Sequence, residues 1–332
     1  MTDPTPSTVS LADRVRHVAA AAAVVGVHFF KRVPVFVLGE EALLFAGDEE
    51  KRVVVHGGGI LASAGDGERI VTGGDDGRLV QTLADGAPKQ LAADENRRWI
   101  DQVALGPHGA VAWSIGKTAH VRARNAELRA LDVPSTVAGL CFAPKGFRLA
   151  IAHYNGVTFW FPNAAAPPEK FEWKGSHLSV AVSPDGRFLV TTMQEPMLHG
   201  WRIADGKHMR MSGYSARVRS LSWSMEGEFL ATSGSEQLIL WPFDGKEGPM
   251  GRQPKLLAPS EARVSVVACH PKQAAVAVGY ADGVVLLVRI DDGALISVRA
   301  ADGQPVTALG WDAGGQVLAF GCESGAAGVL VL

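Results

Sequence analysis

The chain has 332 residues, of which 47% are hydrophobic and 20% charged, with 38 glycines and a formal net charge of −2. That charge gives no basic excess for tracking phosphates, so nucleic acid is not expected as a partner. No apolar run reaches the roughly 18–20 residues of a membrane helix, so no membrane partner is expected either.

Residues 1–13 read as a flexible N-terminus. Arg14-Val15-Arg16-His17 followed by the alanine-rich run 18–30 has the charge and apolar order of a secretory signal. Asp3 and Asp13 before it and His28 within it argue against export, and residues 24–30 align with the first strand of a repeat. From there one unit recurs about every forty residues: an apolar strand, a small-residue turn, and a second apolar strand. The turns end at Gly67, Gly109, Gly146, Gly186, Gly227, Gln273 and Gly315, spaced 42, 37, 40, 41, 46 and 42 apart. Such a period with several strands per unit predicts an all-β, single-domain β-propeller over 14–332.

First strands are expected near Val24, Ile60, Trp99, Val137, Leu178, Val218, Val264 and Val306, and second strands follow each turn. Third strands carry Trp160, Trp201 and Trp241, and Asp-Gly pairs such as Asp76-Gly77 and Asp282-Gly283 supply the positive φ of tight hairpins. Eight first strands predict eight four-stranded blades, with seven as the alternative. The last unit stops at Leu332 in its third strand and leaves an open edge. Residues 14–20 are the expected donor of the missing fourth strand.

The Ser183-Pro184-Asp185-Gly186 turn, the Gly73–Gly77 turn and the three third-strand tryptophans resemble the WD40 repeat, and the likeness runs over almost the whole chain. The chain also resembles WD40-like bacterial proteins rich in Ala and Gly. The resemblance implies a propeller that serves as a platform for protein partners. Each third-strand tryptophan is followed by Phe161, Arg202 or Pro242 and never by Asp. The family's Asp, His, Ser/Thr and Trp network is therefore expected to be incomplete, with His56 and His177 near its histidine position.

Chemistry is sparse. Ser233-Gly234-Ser235 and Gly73-Gly74-Asp75-Asp76-Gly77 read as turns, because no helix follows either one as a nucleophile elbow or phosphate loop requires. No catalytic residue and no cofactor is expected. The three cysteines have no paired spacing, which fits a reducing compartment and a cytoplasmic location. Among ten histidines none has zinc-finger spacing. A metal or small-ligand site at the channel mouth, assembled from His153, His177 and His199, is the alternative reading, as is a hydrolase-type site there, with metal handling as one setting.

The favoured reading is a non-enzymatic, monomeric platform for a protein or peptide. Second-to-third and fourth-to-first strand connections emerge on one rim, and between blades four and six they are rich in interface residue types. The candidate contacts are His153, Tyr154, Asn155, Lys174, His177, Gln194, Glu195, Tyr214 and Arg217. On the opposite rim the long insertion 244–254 offers Lys246, Met250 and Arg252 as a second surface.

Overall fold

A computed structural model describes residues 9–123 and 127–332. The expected tail 1–13 lies largely outside the described residues; Val9–Ser10 is a short strand and Ala12–Arg14 a single 3-10 turn. The rest is strand and turn, and no helix among the described residues is long and apolar enough to cross a membrane.

The strands form seven hydrogen-bonded sheets where eight separate ones were expected; seven was the alternative. Six of them cover 24–54, 60–93, 103–132, 221–257, 264–299 and 306–331. The seventh has six strands over 139–211 and fuses two sequence repeats. Its long elements Leu149–Trp160 and Glu169–Val182 carry a register shift after Tyr154 and another after His177, and Tyr154 pairs with Ser176 where two repeats would part. Both elements turn within themselves. His153 Nε2 and Thr158 Oγ1 are 2.9 Å apart, whereas five residues of straight strand would separate them by roughly 17 Å. Asn155 at φ 70° and Gly156 at φ 142° make that reversal. An added Cβ on Gly156 would stand 2.2 Å from the Phe171 carbonyl oxygen, so only glycine fits.

The sheets alternate with apolar layers. Phe36, Leu38 and Leu44 pack on Val317 and Val329; Val35, Val37 and Leu43 face Ile70 and Val80. A comparable cluster of Phe159, Phe171, Leu189 and Trp201 sits inside the six-stranded sheet. Hydroxyls on the inner strands tie neighbours together: Ser265 donates to the Val306 carbonyl at 2.6 Å and Thr307 to the Val24 carbonyl at 2.5 Å. The second bond crosses from the last sheet to the first.

Ring closure follows the expected route. Val15–Ala19 pairs antiparallel with Ala326–Val331, from Val15 opposite Leu330 to Ala19 opposite Ala326. Val9–Ser10 adds a parallel edge to Leu295–Arg299. Successive strands within a repeat run antiparallel, so connections after second and fourth strands share one rim, here called the upper rim.

Candidate functional site: the upper rim

Three of the expected upper-rim contacts are interior groups, which corrects their placement. His153 is 6% exposed, with Nδ1 at 2.8 Å from the Tyr154 carbonyl and Nε2 on Thr158. His177 is fully buried, with Nδ1 at 2.7 Å from Thr191 Oγ1 and Nε2 at 2.9 Å from the Trp173 carbonyl. Tyr214 is buried, its hydroxyl 3.0 Å from Thr232 Oγ1 and accepting from Trp241 Nε1 at 2.7 Å. Burial pushes both histidines below their usual range and the Tyr214 phenol upward. Tyr214 thus takes the histidine's part in a reduced WD40-type network. Tyr214→Phe leaves the Trp241 indole N–H without its acceptor; a loss of roughly 1–3 kcal/mol is expected in chemical denaturation, with rim binding unchanged.

A second partial network joins His56, Thr72 and Asp76. His56 Nδ1 is 3.0 Å from Asp76 Oδ1 and Nε2 is 2.8 Å from Thr72 Oγ1. Burial alone would raise the Asp76 carboxyl, but hydrogen bonds from Gly57, His56 and Arg78 outweigh it and hold the group far below the carboxylate range.

The histidine trio does not form a ligand set. His153 and His177 have both ring nitrogens engaged, and His177 meets His199 edge-on with centroids 6.3 Å apart. Among the described residues no three His, Cys, Asp or Glu side chains are grouped to hold a metal ion. His199 is fully buried with neither ring nitrogen partnered, stacked on Trp173 at 4.1 Å, and burial drives it down to about 3. For the hydrolase-type alternative, a serine and a histidine meet at the inner wall. Ser63 Oγ is 2.9 Å from His28 Nε2, and burial lowers His28 to about 4. No carboxylate hydrogen-bonds to His28 Nδ1 among the described residues, so the orienting third member of a triad is missing. The turn Ser233–Ser235 is occupied structurally, since Ser233 Oγ accepts from the backbone N–H groups of Arg219 and Ser220.

The remaining candidates do lie at the rim. Tyr154 is 51% exposed. Asn155 accepts from the Gly175 N–H at 3.2 Å, and Arg217 donates to Gln194 Oε1 at 2.9 Å. Lys174, Gln194 and Glu195 are exposed. Tyr154, Asn155, Glu172, Trp173 and Lys174 line an open depression of about 600 Å³.

A second depression, about 640 Å³, opens on the same rim between Gly57, Gly58, Asp75, Asp76, Arg78, Arg97 and Trp99. Trp99 is 62% exposed. The repeat spacing places Trp99 at the start of an inner strand, but that strand begins at Val103, so Trp99 stands free in the connection. The available signal was the Arg97-Arg98-Trp99 run itself, two cations beside an aromatic with no alternating apolar pattern.

On the lower rim the 244–254 insertion is pinned to the neighbouring repeat. Glu247 accepts from Arg202 at 2.6 Å and Lys207 at 2.7 Å, Arg187 donates to the Phe243 and Gly245 carbonyls, and Arg252 pairs with Asp244. Met250 is 44% exposed and Lys246 points outward. The three thiols are free, and burial pushes Cys269 up to about 12.

Fold and rim together define a WD40-type propeller, and known proteins agree. The family model "WD domain, G-beta repeat" matches residues 207–241, the stretch that contains Tyr214, Thr232 and Trp241. THO complex subunit 3 of Arabidopsis thaliana is 24% identical over 217 residues, covering 64% of this chain and 66% of that protein. WD repeat-containing protein 1-B of Xenopus laevis is 34% identical over 68 residues, 20% of this chain and 11% of that protein. The chain thus spans less than two thirds of the length of these relatives. The computationally designed Ika8 protein superposes with a TM-score of 0.75 at 16% identity, over 94% of this chain and 97% of that one, a likeness of fold alone. The chain is similar to WD40-repeat proteins, with one repeat matched by the family model at residues 207–241.

Proposed function

We propose that this propeller is a non-enzymatic scaffold, monomeric and cytoplasmic, that binds a protein or peptide across its upper rim. The carrying observation is the exposure of two large aromatics on that rim, Trp99 at 62% and Tyr154 at 51%. Aromatics beside cations are the residue types that anchor interfaces. Arg97 flanks Trp99, and Asn155 and Lys174 share the depression of Tyr154, while Gln194, Glu195 and Arg217 belong to other connections of the rim. One relative is by name a subunit of a complex, which agrees with a scaffold. The channel-mouth metal or hydrolase alternative has weaker support, since its histidines are committed to structural bonds or buried without a co-ligand.

Replacing Trp99 and Tyr154 together by Ala should abolish partner capture from native lysate, read by quantitative mass spectrometry, with the melting temperature kept. Replacing Met225 and Met250 on the lower rim should leave capture intact. The reverse pattern would overturn the assignment of the rim.

The same reading counts eight repeats carried on seven sheets. The reversals at Asn155-Gly156 and Gly175, and the apolar cluster within the six-stranded sheet, support it. An experimental map with seven inner strands around the axis would refute it.

A further inference from the structure

The cleft between the 60–93 and 103–132 sheets has a volume of about 660 Å³, and it lies away from the upper rim. That volume falls in the range of small-molecule sites. Leu79, Leu83 and Leu91 form one wall, Val111 and Trp113 the other. The polar groups reaching it are mostly donors. Lys89 has no ion-pair partner among the described residues, and the Gln81 side chain makes no hydrogen bond among them. Arg122 spends one nitrogen on the Leu91 carbonyl at 2.7 Å and keeps its other donors. Arg69 is neutralised by Asp66, which leaves Glu68 as the one unpaired acid on the lining among the described residues.

Trp113 is 3% exposed, lines the cavity and stacks on His120 with ring centroids 5.3 Å apart. Two cations and an amide beside an aliphatic and aromatic wall form a donor-rich pocket with an apolar body.

We propose that this cleft binds a small organic monoanion, an aryl or short alkyl carboxylate, with its body against Leu83, Leu91 and Trp113 and its carboxylate between Lys89 and Arg122. Charge-assisted hydrogen bonds set the orientation, and the aliphatic wall excludes inorganic anions as equal competitors. The site is independent of the scaffold reading, since none of its residues lies on the upper rim.

The test is calorimetric titration of the intact protein with naphthalene-2-carboxylate, then with the neutral naphthalene-2-methanol, then with inorganic phosphate. A Kd of about 1 mM or tighter is expected for the carboxylate, with binding roughly tenfold weaker for the alcohol. Lys89→Ala and Leu83→Asp, both at solvent-reached positions, should each weaken the carboxylate about tenfold with an unchanged melting temperature. Trp113→Phe should remove the fluorescence change on binding. Absence of binding, equal affinity for the alcohol or for phosphate, or indifference to Lys89→Ala and Leu83→Asp would each overturn the proposal.

Discussion

Removing residues 1–20 should lower the melting temperature by at least about 10 °C and turn the protein into concentration-dependent oligomers. Two apolar layers lose members together: Val18 and Ala20 pack with Val24, Phe36 and Val329, while Val15 packs with Phe320 and Leu330. Burying each valine is worth roughly 1.5–3 kcal/mol, and the five-residue ladder to Ala326–Val331 goes as well. In a large domain, each kcal/mol moves the midpoint by roughly 2–4 °C. The bare edge of Ala326–Val331 would then pair with another chain. Differential scanning calorimetry and light scattering of the truncated protein measure both effects, and a monomer that melts like the intact protein would contradict them. Val18→Asp is the point-mutation version, with the same sign.

Acid should unfold the ring well above the pH at which carboxylates titrate. Burial holds His28 down to about 4 and His199 to about 3, against an ordinary value of 6.5. The unfolded chain therefore takes up protons first. Stability is intact above about pH 6.5, falls as pH drops below it, and stops falling on this account near the folded values. Each group costs about 1.4 kcal/mol per pH unit in that window, so at pH 4.5 the pair removes roughly 5 kcal/mol. His56, His120, His153 and His177 are lowered too and add in the same direction. Asp76 has the depressed carboxyl of a bonded acid and contributes only below about pH 4. Urea unfolding at pH 7.5, 6 and 5 gives the slope. His199→Phe keeps the stack on Trp173, removes one titrating site and should flatten that slope; an identical slope would show that His199 does not carry it.

The sequence made the strands and turns plain, because alternating apolar runs end at glycine turns such as Gly186 and Gly227 wherever a hairpin needs positive φ. The closing strand was legible for a physical reason as well: an unpaired third strand at the chain end demands a partner. The fusion of two repeats was not, since nothing in one dimension announces that Tyr154, beside the reversal at Asn155-Gly156, bridges to Ser176. The rim was legible at six of its nine candidate residues, which lie there. Tyr154, Lys174 and Arg217 reach solvent, whereas His153, His177 and Tyr214 are the same residue types turned inward onto threonines. Trp99 was not, because an apolar residue at a strand start looks the same whether it enters the layer or stands four residues ahead of it.

The fused 139–211 sheet also distributes mechanical compliance around the ring. One bridge, from Tyr154 to Ser176, ties the two halves of that sheet together across a register shift. Among the described residues no such bridge joins the 60–93 and 103–132 sheets, and a gap of about 660 Å³ lies between them. Amides near Tyr154 should therefore exchange with deuterium slowly and those lining that gap quickly. Anything wedged into the gap would stiffen the whole circumference.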